Sequence, residues 1–164
     1  MKNTLFYSAL AAMLVLASSA QAIKFNPDAL RSMQEEGLKI ANQLHTERPY
    51  RLGGQCLHLE GDLQNFPANV VLQPCNDSAH QRWRFDEHSR FRNQSGACMT
   101  VQGENAIAGA CGEGDPFIWT LGTNGQMTHK ASGQCLSAHG DASKPGTNVG
   151  IAACNGNGAQ LWQP

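Results

Sequence analysis

The chain has 164 residues, with 12 basic and 13 acidic side chains, 17 glycines and six cysteines. A charged fraction of 15% beside so much glycine excludes a long-helix or coiled-coil protein. Charge this evenly balanced leaves no basic surplus for a phosphate backbone or an anionic membrane, so neither nucleic acid nor a bilayer is an expected partner.

The chain opens with Met1-Lys2-Asn3, an apolar run from Leu5 to Leu16, and the small-x-small ending Ser18-Ser19-Ala20-Gln21-Ala22. This order predicts a signal peptide over residues 1–22, cleaved near Ala22, and a secreted or periplasmic product. The apolar run is shorter than the roughly 20 residues a membrane span requires. An uncleaved amphipathic anchor is the alternative. Export makes paired cysteines the default.

Residues 23–49 read as a helical extension. Asn26 before Pro27 fits an N-cap with proline in the first turn. Leu30, Met33, Leu38, Ile40, Ala41 and Leu44 then recur near helical spacing, interrupted by Gly37, and the pattern stops before Arg48-Pro49. The expected helix at residues 27–45 either docks on its own domain or offers its apolar face to a protein partner.

From residue 50 the chain is a repeat written three times. Gly54-Gln55-Cys56-Leu57-His58-Leu59-Glu60-Gly61 returns as Gly96-Ala97-Cys98-Met99-Thr100-Val101-Gln102-Gly103 and as Gly133-Gln134-Cys135-Leu136-Ser137-Ala138-His139-Gly140. A second cysteine follows in each unit (Cys75, Cys111 and Cys154), and eight residues later comes a tryptophan: Trp83, Trp119 and Trp162. The units span about 50–91, 92–127 and 128–164. Six cysteines permit fifteen pairings. Equivalent units should form equivalent bonds, which gives Cys56–Cys75, Cys98–Cys111 and Cys135–Cys154. A zinc cluster is the competing reading, although the close cysteine pairs it favours are missing. The middle unit separates its cysteines by six residues fewer than the others, so one of its hairpins is shorter.

Short apolar or alternating runs split by Gly, Asn, Pro and Asp read as strands, about four to a unit. Three such units predict an all-β, closed architecture with pseudo-threefold symmetry, the three tryptophans filling a shared core. The third unit stops at Trp162-Gln163-Pro164, and Tyr50-Arg51-Leu52 is the expected supplier of its last pairing.

The cysteine-led strands, Cys75-Asn76 with Gln81-Arg82-Trp83, and Cys154-Asn155 with Gln160-Leu161-Trp162 resemble the ricin-B type, or R-type lectin, β-trefoil over residues 50–164. The middle unit keeps only Cys111-Gly112 and Phe117-Ile118-Trp119. The layout of leader, extension and divergent trefoil is similar to the binding subunits of bacterial cytolethal distending toxins. In sugar-binding members, the resemblance implies an aspartate two residues after the first cysteine; here these are His58, Thr100 and Ser137. It implies an aromatic ring two residues before the second cysteine, where Gln73, Gly109 and Ala152 stand. An asparagine position holds His80, Pro116 and Ala159, and the glutamine before x-Trp survives as Gln81 and Gln160. The expected ligand contacts are therefore His58, Gln73, His80 and Gln81 in the first unit, with Ser137 and Gln160 in the third. Ordinary surface histidines, and glutamine amides that pair backbone within the repeat, are the alternatives.

No Gly-x-Ser-x-Gly elbow, His-Glu-x-x-His helix, P-loop or dinucleotide fingerprint is present, and no cofactor, metal or catalytic residue is implied. Asp86-Glu87-His88 reads as a solvated turn, and Arg82, Arg84, Arg90 and Arg92 as a solvated strand face. The leading expectation is a secreted, non-catalytic recognition module that binds a glycan or glycoprotein. The alternatives are a protein-interaction or receptor-binding subunit of a toxin-like complex with decayed sugar pockets, and a trefoil protease inhibitor.

Overall fold

In every unit the glycine two positions before the first cysteine makes the entry into the opening strand. Gly54, Gly96 and Gly133 have φ of 82°, 95° and 68°, in the left-handed region that favours a residue without Cβ. The computed structural model describes residues 26–62 and 65–164. The leader expected over residues 1–22 lies outside them.

Among the described residues, eleven strands and one α-helix follow in chain order: α1 (Pro27–His45), β1 (Arg51–Leu52), β2 (Gln55–Leu59), β3 (Ala68–Gln73), β4 (Trp83–Phe85), β5 (Phe91–Asn93), β6 (Cys98–Gln102), β7 (Asn105–Gly109), β8 (Trp119–Leu121), β9 (Met127–His129), β10 (Cys135–Ala138) and β11 (Val149–Ala152). The cysteine-led strand of each unit forms an antiparallel hairpin with the strand that follows it: β2–β3, β6–β7 and β10–β11. The three hairpins close on one another through Ala68↔Ala108, Gly150↔Asn105 and Val71↔Asn148. This is the β-trefoil. The six residues missing from the middle unit are missing between β6 and β7, where Gly103-Glu104 alone makes the turn.

A short 3-10 turn precedes each tryptophan, at Ala79–Gln81, Asp115–Phe117 and Gly158–Gln160. The indoles are at most 1% exposed. Each donates Nε1–H to the carbonyl of the residue after the first cysteine of its own unit: Trp83 to Leu57 at 3.1 Å, Trp119 to Met99 at 3.1 Å and Trp162 to Leu136 at 3.0 Å. Satisfying the lone indole donor lets the largest side chains occupy the core without an unpaired polar group. Leu57, Leu59, Val70, Leu72, Phe91, Met99, Met127, Leu136 and Val149 fill the space between them.

The disulfides are Cys56–Cys75, Cys98–Cys111 and Cys135–Cys154, all within a unit, so the thiols a zinc cluster needs are already paired. Loops of this size contribute about 3 kcal/mol each in the chain-entropy account. Arg51 on β1 exchanges both backbone hydrogen bonds with Gln163, at 2.7 and 2.9 Å, and so supplies the last pairing of the third unit.

Asn69, Asn105 and Asn148 stand six residues before the second cysteine of their units. Their side-chain amides form a closed ring: Asn105 donates to Asn69 (2.9 Å), Asn69 to Asn148 (3.2 Å) and Asn148 to Asn105 (2.8 Å). One residue from each repeat thus knots the pseudo-threefold axis.

Asn26 caps α1 through its side chain, accepting from the backbone N–H of Asp28 and Ala29. The helix meets the trefoil near its C-terminal end, where His45 Nδ1 lies 2.9 Å from the Phe85 carbonyl. Leu30, Met33 and Leu38 remain 42%, 69% and 64% exposed, so those positions of the apolar stripe are not docked on the domain.

Candidate functional site

The antiparallel register of β2 and β3 puts Cys56 opposite Gln73 and His58 opposite Val71. Leu57 and Leu59 face the core, so Cys56, His58, Val71 and Gln73 share the outer face of this hairpin. The turn Ala79–Gln81 brings His80 and Gln81 to the same place. The His58 and His80 rings stack with centroids 5.2 Å apart and planes 13° from parallel. His80 Nε2 lies 3.0 Å from the Gly61 carbonyl, an acceptor that makes this nitrogen the donor. Burial, and then the neighbouring His80, hold the His58 imidazole below its ordinary range, against the opposing pull of Glu60. The Gln73 side chain, half-buried on the same face of the hairpin, makes no hydrogen bond with the described residues.

Gln81 is fully buried. Its Oε1 accepts from the Asn76 N–H at 2.8 Å, and its Nε2 donates to the Pro74 carbonyl at 2.8 Å while facing His58 Nδ1 at 3.5 Å. Gln160 repeats this latch on the Asn155 N–H (3.0 Å) and the Ala153 carbonyl (2.9 Å). Both amides are committed to backbone on either side of a second cysteine, and both hold the loop that follows it. The middle unit has no such latch. Phe117 stands in place of the glutamine, and its ring lies where a Cβ on Gly112 would stand, so the glycine and the phenylalanine of this unit fit each other sterically.

The other two units offer less. Thr100 Oγ1 donates to the Pro116 carbonyl at 2.9 Å, and the buried His129 places Nε2 3.0 Å from the same oxygen. Ser137 is 5% exposed and sits opposite Gly150, over which the His139 ring packs. The structure therefore brings four of the six expected contacts (His58, Gln73, His80 and Gln81) to one face. Ser137 and Gln160 lie apart from them in the third unit.

Two concavities elsewhere flank the turn between β4 and β5. One of about 230 Å³ is lined by His45, Phe85, Glu87 and Leu121, the other of about 470 Å³ by His88, Arg90, Glu113 and Ile118. The turn between them is not simply solvated: Asp86 is 5% exposed. Burial raises its carboxyl, but hydrogen bonds from the backbone and guanidinium of Arg90 and from the His88 N–H outweigh this and hold it below the ordinary carboxylate range.

A family model described as the Ricin-type beta-trefoil lectin domain matches residues 48–162. The chain belongs to this family. Polypeptide N-acetylgalactosaminyltransferase 15 of Homo sapiens is 29% identical over 113 residues, which is 63% of this chain but only 17% of that enzyme's length. The agglutinin of Abrus precatorius aligns with a TM-score of 0.65 at 22% identity, over 73% of this chain and 48% of its own. The β-trefoil lectin of the Vibrio vulnificus hemolysin/cytolysin, solved with N-acetyl-D-lactosamine bound, gives 0.62 at 20% identity, over 73% and 93%. At these identities the structural likeness is one of fold. Among the described residues no group of three or more His, Cys, Asp and Glu is placed to hold a metal ion.

Proposed function

We propose that this ricin-type trefoil is an exported, non-catalytic glycan-binding module whose site is the outer face of the first unit. One contrast carries the reading. In the first unit, two stacked imidazoles and a glutamine amide share one face, while the position of His58 holds Thr100, bonded to the Pro116 carbonyl, and the buried Ser137, and the positions of His80 and Gln73 hold only Pro116, Ala159, Gly109 and Ala152, which have no side-chain donor or acceptor. Imidazole nitrogens and an amide supply directional partners for hydroxyls, and the flat stacked rings give an apolar edge for the C–H face of a sugar. The N-acetyl-D-lactosamine held by the Vibrio vulnificus trefoil supports a glycan as the ligand class. Three cystines suit an oxidising compartment, and no described helix is long and apolar enough to cross a membrane.

A glycan array probed with the purified protein tests this. Binding is expected to disappear in the His58→Ala, His80→Ala double variant while the fold persists; a protein that binds no neutral glycan removes the proposal. A second reading, docking of a protein partner on α1, is favoured by the exposure of Leu30, Met33 and Leu38. Pull-downs with and without residues 23–48 separate it from the first, since equal recovery of a partner from both forms contradicts docking through the helix.

A further inference from the structure

The β4–β5 hairpin carries a concentration of positive charge that the glycan site does not use. Trp83 and Phe85 face the core, so Arg84 lies on the outer face of β4, and Arg82, extended in the position just before the strand, is its alternate neighbour. Arg84 stands directly opposite Arg92 on β5. Like charges paired across two strands oppose sheet formation unless something neutralises them. Within the chain little does. Among the described residues the one carboxylate in ion-pair range of these three guanidinium groups is Glu47, 3.7 Å from Arg84. Arg82 donates only to the Asp77 carbonyl at 3.2 Å, and Arg92 only to the Gly96 carbonyl at 3.3 Å. Arg92 Nε and the Ser95 hydroxyl, in the turn that this guanidinium reaches, are buried and have no hydrogen-bond partner.

We infer that the Arg82–Arg84–Arg92 face is a binding surface for a sulfated glycan chain. Guanidinium forks pair bidentately with tetrahedral and planar oxyanions, and arginine is less hydrated than lysine, so a sulfate neutralises the opposed pair at small desolvation cost. The sheet sets these arginines roughly 4.8 Å apart between strands and roughly 6.8 Å apart between alternate residues at the backbone, so more than one guanidinium lies within reach of a chain that carries repeated anionic groups. Other polyanions fit less well. Among the described residues the exposed large apolar ones are Leu30, Met33, Leu38 and Phe66, none of them on this hairpin, so it offers no ring for base stacking and no apolar anchor for a bilayer. The choice of a glycan among polyanions rests on the function proposed above; the anion site itself stands on the hairpin alone.

Retention of the purified protein on immobilised heparin, followed through a salt gradient, tests the inference. The wild type is expected to be retained, with fully desulfated heparin, duplex DNA and phosphatidylserine vesicles competing poorly. Removing two charges in Arg84→Gln, Arg92→Gln should weaken binding by about tenfold and flatten its salt dependence. Arg51→Gln, which alters an exposed arginine outside the face, should leave retention unchanged. If the double variant fails to fold, the Arg84→Gln single variant, expected to bind a few-fold more weakly, replaces it. The inference is overturned if heparin does not retain the wild type, if Arg51→Gln weakens it as much as the hairpin variants, or if DNA or vesicles compete as well as heparin. Neutral-glycan binding, measured in parallel on the same variants, should not change. Its loss in His58→Ala, His80→Ala without loss of heparin retention separates the two sites.

Discussion

His58 couples the proposed glycan face to pH. Its imidazole is held below the ordinary value of 6.5, so the unfolded chain takes up this proton before the folded one as pH falls. Stability linked to His58 is therefore intact above 6.5 and declines from there down to the lower value of the folded state. Urea midpoints at about pH 7.5 and about pH 5 should differ more in the wild type than in His58→Gln. Equal pH dependence in the two proteins would refute the coupling. The neighbouring Gln81 shows where sequence stops informing at this scale. A glutamine before x-Trp is compatible with a sugar hydroxyl or with backbone, and the choice depends on whether the loop after the second cysteine returns over the amide. It does return, at Asn76 and Pro74, and again at Asn155 and Ala153. Only the three-dimensional course of that loop settles the amide's partners.

The repeat elements were legible because their marks are chemical and recur in phase. Cysteines, tryptophans and turn glycines each do one job that few other residues can do, so the hairpins, the cystines and the buried indoles all follow from spacing. The middle unit was less so, since its loss of the latch appeared as two unrelated departures, Gly112 and Phe117. Their contact makes a prediction. Gly112→Asn alone forces a side chain into the Phe117 ring and should destabilise by about 1–3 kcal/mol. Gly112→Asn with Phe117→Gln restores the Asn and Gln of the other units, and should recover most of that loss in a thermal melt. A double variant no more stable than the single one would show that the latch cannot be rebuilt in this unit. The helix follows a different logic. Its start and span were readable from Asn26-Pro27 and from the apolar spacing, but whether its stripe is covered depends on the surface opposite, which no local pattern encodes.

At the scale of the molecule, three repeats become one object through two devices. The asparagine ring is the first. It escaped the sequence reading because Asn105, followed by Ala106, lacks the valine that follows Asn69 and Asn148, although the common offset of all three from the second cysteine was a usable signal. Removing one member breaks two of the ring's hydrogen bonds, so Asn105→Ala should cost about 1–3 kcal/mol. Adding Asn148→Ala should cost less than it does alone, because the ring is already open. A double-mutant cycle by urea denaturation checks this, and strict additivity would mean that the three amides act separately.

The second device is the clasp between Arg51 and Gln163. It joins the opening strand of the trefoil to the residue just after the last tryptophan, so every copy of the repeat must exist before the circle can be sealed. During synthesis the first unit waits, its edge bare, for a partner made more than a hundred residues later. Until then its three-residue border, Tyr50 to Leu52, is open to any passing strand, so the topology leaves a pairing edge unguarded for as long as the last unit is unmade.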